Sequence, residues 1–353
     1  MSAYIRVGLI GLGYAGRHFH APLISATPGL TLGVIGSRQG PAVATTCPGV
    51  TVVADPMAAA RHPDADLVVI ATPNATHAAL AEAALRAGKH VVVDKPFTLT
   101  VAEARALARL AAAEGRILSV FQNRRWDSDF LGIRREIAAG RLGEIVELRS
   151  EMSRFRPEVR DRWRERPGAG AGIWYDLGSH LIDQALVLFG PPESVGADLR
   201  IQRPGGGAVD WFHAVLGYGR ARVVLASSML AADAPTRFTV RGTRASLTKR
   251  LGDVQESQLV AGMTPGASGW GSDPDPMILR GGGTGSPIEV PAPAGRYPDY
   301  YAAIRDAIGD GKEPPVSPAQ GSTVMAVIEA GIRSASEGAV VKPSYTEVER
   351  AAW

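Results

Sequence analysis

The β-rich run YIRVGLI at residues 4–10 meets the turn Gly11-Leu12-Gly13-Tyr14-Ala15-Gly16 and then RHFHAPLISA, which reads as a helix. Strand, glycine turn and helix in that order are what a dinucleotide-binding βα unit needs. Gly11 permits the tight turn, Gly13 lets the backbone approach a pyrophosphate, and Gly16 lets the helix pack closely on its strand. The helix N-terminus then faces the phosphates. A lone turn of this kind is weak, because glycine turns occur in many loops. Here it is followed by LTLGVIGSR (30–38), DADLVVIATP (64–73), GKHVVVDKP (88–96) and RILSVFQN (116–123), with the alanine-rich stretches HAALAEAALRAG and VAEARALARLAAAEG between the later runs. Strands alternating with helices imply parallel pairing with right-handed crossovers. Nearly unbroken apolar runs such as LVVIA and HVVVD suit strands covered on both faces. Residues 1–122 are therefore expected to form a Rossmann domain with a parallel sheet.

The end of the second strand chooses between the nicotinamide cofactors. An NAD site commonly offers Asp or Glu there to the ribose hydroxyls, whereas a 2′-phosphate needs donors and positive charge. This chain has Gly36-Ser37-Arg38 and no carboxylate at that point. The expectation is NADP rather than NAD, with Ser37 and Arg38 at the phosphate. A solvated turn arginine is the alternative.

With 353 residues the chain has room for a second domain, since single domains most often run to ~100–200 residues. The pattern changes after residue 122. DSDFLGIRREIAAG reads as a helix, followed by EIVELRSEMSRF and the β-rich segments SVGADLRIQ, WFHAVLGYG, ARVVLASSML and TRFTVRGTRASLTK. Gly217-Tyr218-Gly219 suggests a hairpin. Strands with few helices between them argue for a large, mainly antiparallel open sheet in an α/β domain spanning 123–353. Such a sheet keeps one face for its own core and can present the other to a second copy, so a homodimer or homotetramer is expected. The Gly/Pro-rich stretch 262–287 reads as a long loop. DYYAAIRDAIGDG and GSTVMAVIEAGIRSASEG read as late helices, each ending at glycine.

Bulk properties exclude several classes. A net charge of +3 on a chain that is 45% hydrophobic and 21% charged lends no support to a nucleic-acid or membrane-surface role. No apolar run approaches the ~20 residues needed to cross a bilayer. Cys47, the single cysteine, cannot form an internal disulfide, and it lacks a neighbouring base that would make it a nucleophile. The N-terminus lacks a signal-peptide layout, so the cytoplasm is the expected compartment and Asn74-Ala75-Thr76 is not expected to be glycosylated. His18 and His20 have no third or fourth ligand nearby, so no metal site is expected. The run RFRPEVRDRWRERPG holds six arginines with Glu158, Asp161 and Glu165 among them. It reads either as a solvated surface run or as a loop near the site, with Trp163 or an arginine over the substrate mouth.

These motifs together resemble the glucose-fructose oxidoreductase / inositol dehydrogenase family, called Gfo/Idh/MocA. The resemblance is carried by GLIGLGYAGRHFHAPLI, ATPNATH, DKP at Asp94-Lys95-Pro96, DLGSHLID and YYAAIRDAIGDG, and so covers nearly the whole chain. The usual Glu-Lys-Pro of the family is Asp-Lys-Pro here. By resemblance the Lys95-Pro96 bond is expected to be cis. FQNRRWDSDF, RFRPEVRDRW and PGAGAGIWYDLGSHLIDQALVLFG look most like NADP-dependent scyllo-inositol dehydrogenases. That implies an enzyme acting on a secondary hydroxyl of a cyclic polyol or sugar. A non-catalytic cofactor-sensing regulator and a redox-assisted glycosidase of the same family are the alternatives.

The chemistry of alcohol oxidation then picks out residues. A base working near neutral pH is needed, and His180 suits that task. In the stretch WYDLGSHLID, Asp176, His180 and Asp183 fall at i, i+4 and i+7, one face of a helix. Asp176 is placed to orient the His180 ring and stabilise its charged form. Lys95, at the carboxyl end of the fifth strand, is expected to hydrogen-bond the substrate oxygen, and the resemblance implies the same three residues. Lysine and imidazole are expected to converge on one sugar carbon. Asp183 is expected either to bind a substrate hydroxyl or to pair with an arginine. Arg124, Trp163 and Tyr175 are further expected substrate contacts. Thr72, Pro73, Asn74, His77, Asp94 and Lys95 are expected cofactor contacts alongside Tyr14 and Ala15; for Asn74 and His77 the resemblance implies a place at the nicotinamide ribose, and a simple loop role is the alternative.

Overall fold

The computed structural model describes residues 4–40, 43, 47–283 and 285–353. Its contacts divide the chain into two compact units. The first comprises Met1–Asn123, Gln255–Trp270 and Arg296–Ser322, and the second Arg124–Val254, Gly271–Gly295 and Thr323–Trp353. The first unit is thus discontinuous in sequence, with two later segments returning to it.

The first unit is built on a six-stranded sheet. Its strands are β1 (Ile5–Ile10), β2 (Leu30–Gly36), β3 (Thr51–Val53), β4 (Leu67–Ile70), β5 (His90–Asp94) and β6 (Leu118–Phe121). They are ordered β3-β2-β1-β4-β5-β6 and all pair in parallel. Every residue of β4 and β6 is buried, as expected for strands covered on both faces. Local chemistry starts the crossover helices. Asp55 caps the helix Pro56–Ala60 by accepting from the N–H groups of Met57 and Ala58, and Thr100 with Glu103 forms a capping box for Val101–Ala113. The returning segment closes over β6. The Tyr300 hydroxyl donates to Ser119 Oγ at 2.9 Å, and Ser119 Oγ donates to the Val316 carbonyl at 2.8 Å. The order of strands reverses between β1 and β4, and at such a switch point open α/β sheets bind ligands beyond their strand carboxyl ends.

The second unit carries an eight-stranded sheet. Its strands are β7 (Ile145–Glu151), β8 (Ser194–Arg200), β9 (Trp211–Tyr218), β10 (Ala221–Ser228), β11 (Phe238–Gly242), β12 (Ala245–Lys249), β13 (Met277–Gly281) and β14 (Ile288–Val290). They are ordered β14-β13-β12-β11-β7-β10-β9-β8. All neighbours are antiparallel except β7 and β10. The expected hairpin joins β9 to β10, with Gly219 at φ +52° in its turn. The helix Ser179–Phe189 packs against β10. Ahead of it Trp174 is buried, donates from Nε1 to the Ile328 carbonyl at 3.1 Å and meets Phe212 edge-on.

Two expectations need correction. The stretch 262–287 is not one loop, because Met277–Gly281 forms β13, an internal strand paired with β12 and β14. Prolines and glycines flank this short apolar run, and cross-strand pairing overrides their loop-forming tendency. The segment Trp174–Gly178 is π-helical rather than α-helical, and regular α-helix starts at Ser179. Among the described residues, no helix is long and apolar enough to cross a membrane.

Candidate functional site

The three glycines of the turn stand in different surroundings. Gly11 has φ +96°, and a Cβ there would lie 2.4 Å from the Ala71 carbonyl oxygen at the end of β4. A Cβ on Gly16 would lie 2.1 Å from the Gly11 carbonyl oxygen, whereas one on Gly13 would meet no protein atom within 4 Å. A side chain is thus excluded at Gly11 and Gly16 by neighbouring backbone, whereas the backbone at Gly13 is open. Helical backbone begins at Tyr14 and Ala15 and continues as a π-helical turn, Gly16–His20. Tyr14 is exposed and its hydroxyl donates to Glu256 Oε1 at 3.0 Å. At the end of β2 the Ser37 N–H donates to the Val53 carbonyl and Arg38 is exposed, with no acid between 36 and 40.

Lys95 follows directly on β5 and is half-buried, and the bond to Pro96 is cis. Its backbone N–H donates to Asp94 Oδ1 at 2.8 Å. The other carboxylate oxygen lies 3.8 Å from Nε2 of His20, too far for a direct hydrogen bond. His20 is fully buried, and its Nδ1 lies 2.7 Å from the Tyr301 hydroxyl. Burial opposes the Asp94 charge, but His20, Lys95 and His77 outweigh it and hold the carboxyl below its ordinary pKa. His77 lies with Nδ1 2.9 Å from the Pro96 carbonyl and Nε2 3.0 Å from the Thr72 carbonyl. Asp94 and His77, both expected to face the cofactor, thus direct their polar atoms into the protein. Thr72 and Thr76 share a hydroxyl contact of 2.7 Å, Pro73 is exposed and Asn74 is buried.

In the second unit His180 is buried and Asp176 half-buried. Asp176 Oδ1 lies 3.7 Å from Nε of Arg164, whose guanidinium stacks 4.5 Å over the Trp163 ring. Tyr175 and Trp163 are half-buried. The common face expected for Asp176, His180 and Asp183 assumed a regular α-helix throughout, and the π turn changes the angular step before Ser179. Of the two expectations for Asp183, the arginine is realised: Arg125 donates to it from Nε at 2.8 Å and from Nη2 at 2.7 Å. Burial raises the Asp183 pKa, with Arg125 opposing. Arg124 also has an internal partner, donating to Asp127 Oδ2 at 3.2 Å. Arg237 was not singled out by sequence. It is buried and bonds Gln184 Oε1 at 2.7 Å and Ser150 Oγ at 2.6 Å, with Asp129 Oδ2 at 3.0 Å. It thereby ties the helix carrying His180 to β7.

No group of three His, Cys, Asp or Glu among the described residues has metal-holding geometry. Cys47 is half-buried, and burial raises its thiol pKa.

Residues 5–122 match the oxidoreductase family described by its NAD-binding Rossmann fold, and residues 134–342 match that family's C-terminal alpha/beta domain. The chain is 51% identical over 346 residues to the uncharacterized oxidoreductase YdgJ of Escherichia coli, covering 97% of this chain and 99% of that one. It is 37% identical over 339 residues to the scyllo-inositol 2-dehydrogenase (NADP(+)) IolW of Bacillus subtilis, covering 94% of each. The crystal structure of an oxidoreductase from Bacillus cereus superposes with a TM-score of 0.87 at 31% identity, covering 97% of this chain and 99% of that one.

Proposed function

This chain belongs to the Gfo/Idh/MocA oxidoreductase family, and on that premise we propose that it is an NADP-dependent dehydrogenase interconverting a secondary hydroxyl and a ketone on a cyclic polyol or sugar. Scyllo-inositol is the first candidate, a choice supported by the similarity to IolW. The observation carrying the reading is the placement of Lys95 at the carboxyl end of β5, in the same sheet whose switch point bears the Gly11–Gly16 turn. In this reading residues 1–122 bind cofactor and 123–353 bind substrate and carry a homo-oligomer contact on the large sheet. The compartment is the cytoplasm.

Bound nicotinamide supplies the two-electron acceptor for hydride. The chain supplies the rest. Lys95 Nζ donates to the substrate oxygen and stabilises negative charge developing there. The His180 ring takes the hydroxyl proton as hydride leaves carbon, and returns it in the reverse direction. Asp176 stabilises the charged imidazole. Arg38 and Ser37 hold the 2′-phosphate, and Gly13 admits the pyrophosphate.

The test is reduced-nicotinamide absorbance with NADP or NAD and a panel of inositols and aldoses. Expected are turnover with NADP, its loss in Lys95→Ala and His180→Ala, and a selective loss of NADP affinity in Arg38→Ala. Cofactor binding without turnover on any substrate would instead support a cofactor-sensing protein, and glycoside cleavage without net cofactor reduction a redox-assisted glycosidase.

A further inference from the structure

The arginine run 154–166 resolves into paired and unpaired charges. Glu165 is buried and fully engaged. It accepts from Arg162 Nε at 2.5 Å and from the Arg160 N–H at 3.0 Å, and Arg203 Nη2 lies 3.0 Å away. Asp161 is taken by Arg166 at 2.7 Å. Arg203 also bonds Asp210 and the carbonyls of Arg156 and Glu158. What remains is positive. The side chains of Arg154 and Arg156 are half-buried, and neither makes a hydrogen bond or ion pair among the described residues. Burial and the like charges of Arg154, Arg160 and Arg162 push the Arg156 pKa down, with only Glu165 opposing. Nε of Arg164 is buried without a hydrogen-bond partner, its nearest acid being Asp176 at 3.7 Å.

A cavity within this unit is lined by Arg162, Arg164, Arg203, Glu165 and Asp176. Like charges gathered in half-buried positions repel and lose hydration, so the arrangement costs free energy unless an anion compensates it. Guanidinium forks match the oxygens of phosphate and carboxylate. We propose that the substrate carries an oxyanion, a phosphate ester or a carboxylate, held by Arg164, which lines this cavity beside Asp176, with Arg156 adding positive charge next to Arg162 and Glu165 of the same lining. This rests on the reading that Asp176 serves the reacting alcohol. It replaces the first candidate named above, neutral scyllo-inositol, with an acid-bearing polyol or sugar.

Two measurements separate this inference from the dehydrogenase assignment. The first is a calorimetric titration of the full chain with inorganic phosphate and with glucuronate, at saturating NADP so that the nucleotide's own phosphate sites are filled. Saturable binding is expected, weakened about tenfold or more in Arg156→Ala and in Arg164→Ala, and weakened in wild type by added potassium chloride. Arg156→Lys keeps the charge without the fork and serves where the alanine variant fails to fold; it is expected to bind phosphate at intermediate strength. The stronger of the two probes tells phosphate ester from carboxylate. The second measurement is kcat/KM on a neutral inositol, an inositol monophosphate and a uronate. An acid-bearing substrate is expected to be preferred about tenfold or more, and the preference should shrink in both alanine variants. Absence of saturable anion binding in wild type overturns the inference, as does an equal preference for neutral substrate that the variants leave unchanged. Arginine-dependent anion binding without turnover of any polyol would retain the anion site and remove the dehydrogenase assignment.

Discussion

Nδ1 of His77 lies 2.9 Å from the carbonyl oxygen of Pro96, the residue that follows Lys95. The opposite nitrogen lies 3.0 Å from the Thr72 carbonyl in the loop after β4. One buried ring thus joins the loop expected to meet the cofactor to the step that carries the candidate lysine. A neutral imidazole donates to only one carbonyl at a time, and the protonated ring donates to both. Burial lowers the His77 pKa, while Asp94 and the surrounding carbonyls oppose it.

His77→Ala is therefore expected to cost about 2–4 kcal/mol of stability, through a cavity and a buried carbonyl left without its donor. Dehydrogenase kcat should fall with it, because Lys95 loses its support. The pH dependence carries a definite sign. The folded pKa is depressed below the unfolded value of ~6.5, so the unfolded chain binds the proton first. The resulting stability is present above about pH 6.5 and is lost as pH falls below it. Urea melts of wild type and His77→Gln between pH 7.5 and 5 check this, and a stability gap that does not narrow on acidification would contradict it.

The glycines of the turn separate fold from ligand. Gly11→Ala forces a side chain onto φ +96° and into the Ala71 carbonyl, and should lower the melting temperature of cofactor-free protein sharply. Gly13→Ala meets no protein atom. Its stability should stay within about 0.5 kcal/mol of wild type while NADP affinity drops. Thermal melts with and without NADP read both effects, and a Gly13→Ala variant that binds NADP normally would remove the pyrophosphate from that position.

How much of this was legible depends on the range of the interaction. The Gly11–Gly16 turn is local geometry, and its residues announce it. β4 and β5 announce themselves as apolar runs because both faces are covered. The π turn at Trp174–Gly178 was hidden, since reading a common face for Asp176 and His180 presumes a 3.6-residue period. β13 was hidden because Met277–Gly281 is a strand only by pairing with β12 and β14. Pairings between distant residues left no trace in residue order. Arg125 meets Asp183 across 58 positions and His20 meets Tyr301 across 281, so no spacing rule could have joined them.

The Arg125–Asp183 pair makes two bonds inside the second unit, and Asp183 lies one turn beyond His180 on the same helix. Removing Arg125 takes from the buried Asp183 carboxylate both bonds it accepts here, and breaking a buried pair typically costs about 3–5 kcal/mol. Asp183→Ala and Arg125→Ala should each destabilise by that order. The double variant Arg125→Met/Asp183→Leu should recover most of the loss, because the desolvation cost disappears with both charges. Denaturant melts of the four proteins measure this, and a double variant as unstable as the sum of the singles would show that the pair is not the cause.

Lys249 is fully buried, with Nζ 2.8 Å from Asp275 and 3.1 Å from Asp273. Burial works against the Asp275 charge. The Lys249 bond, the Leu251 N–H at 2.9 Å and Arg250 prevail and lower its pKa. The sign follows from the unfolded value of ~3.9. With the folded pKa below that, the charge stabilises the fold above about pH 4, and the contribution disappears as pH falls through the folded pKa. Asp275→Asn keeps the shape and removes the charge, so it should cost about 2 kcal/mol at pH 7. The gap to wild type should stay constant down to about pH 5 and close on further acidification. Urea denaturation across that range measures it. A gap that persists unchanged at pH 3 would mean that the carboxylate's charge contributes nothing and that only its shape is used.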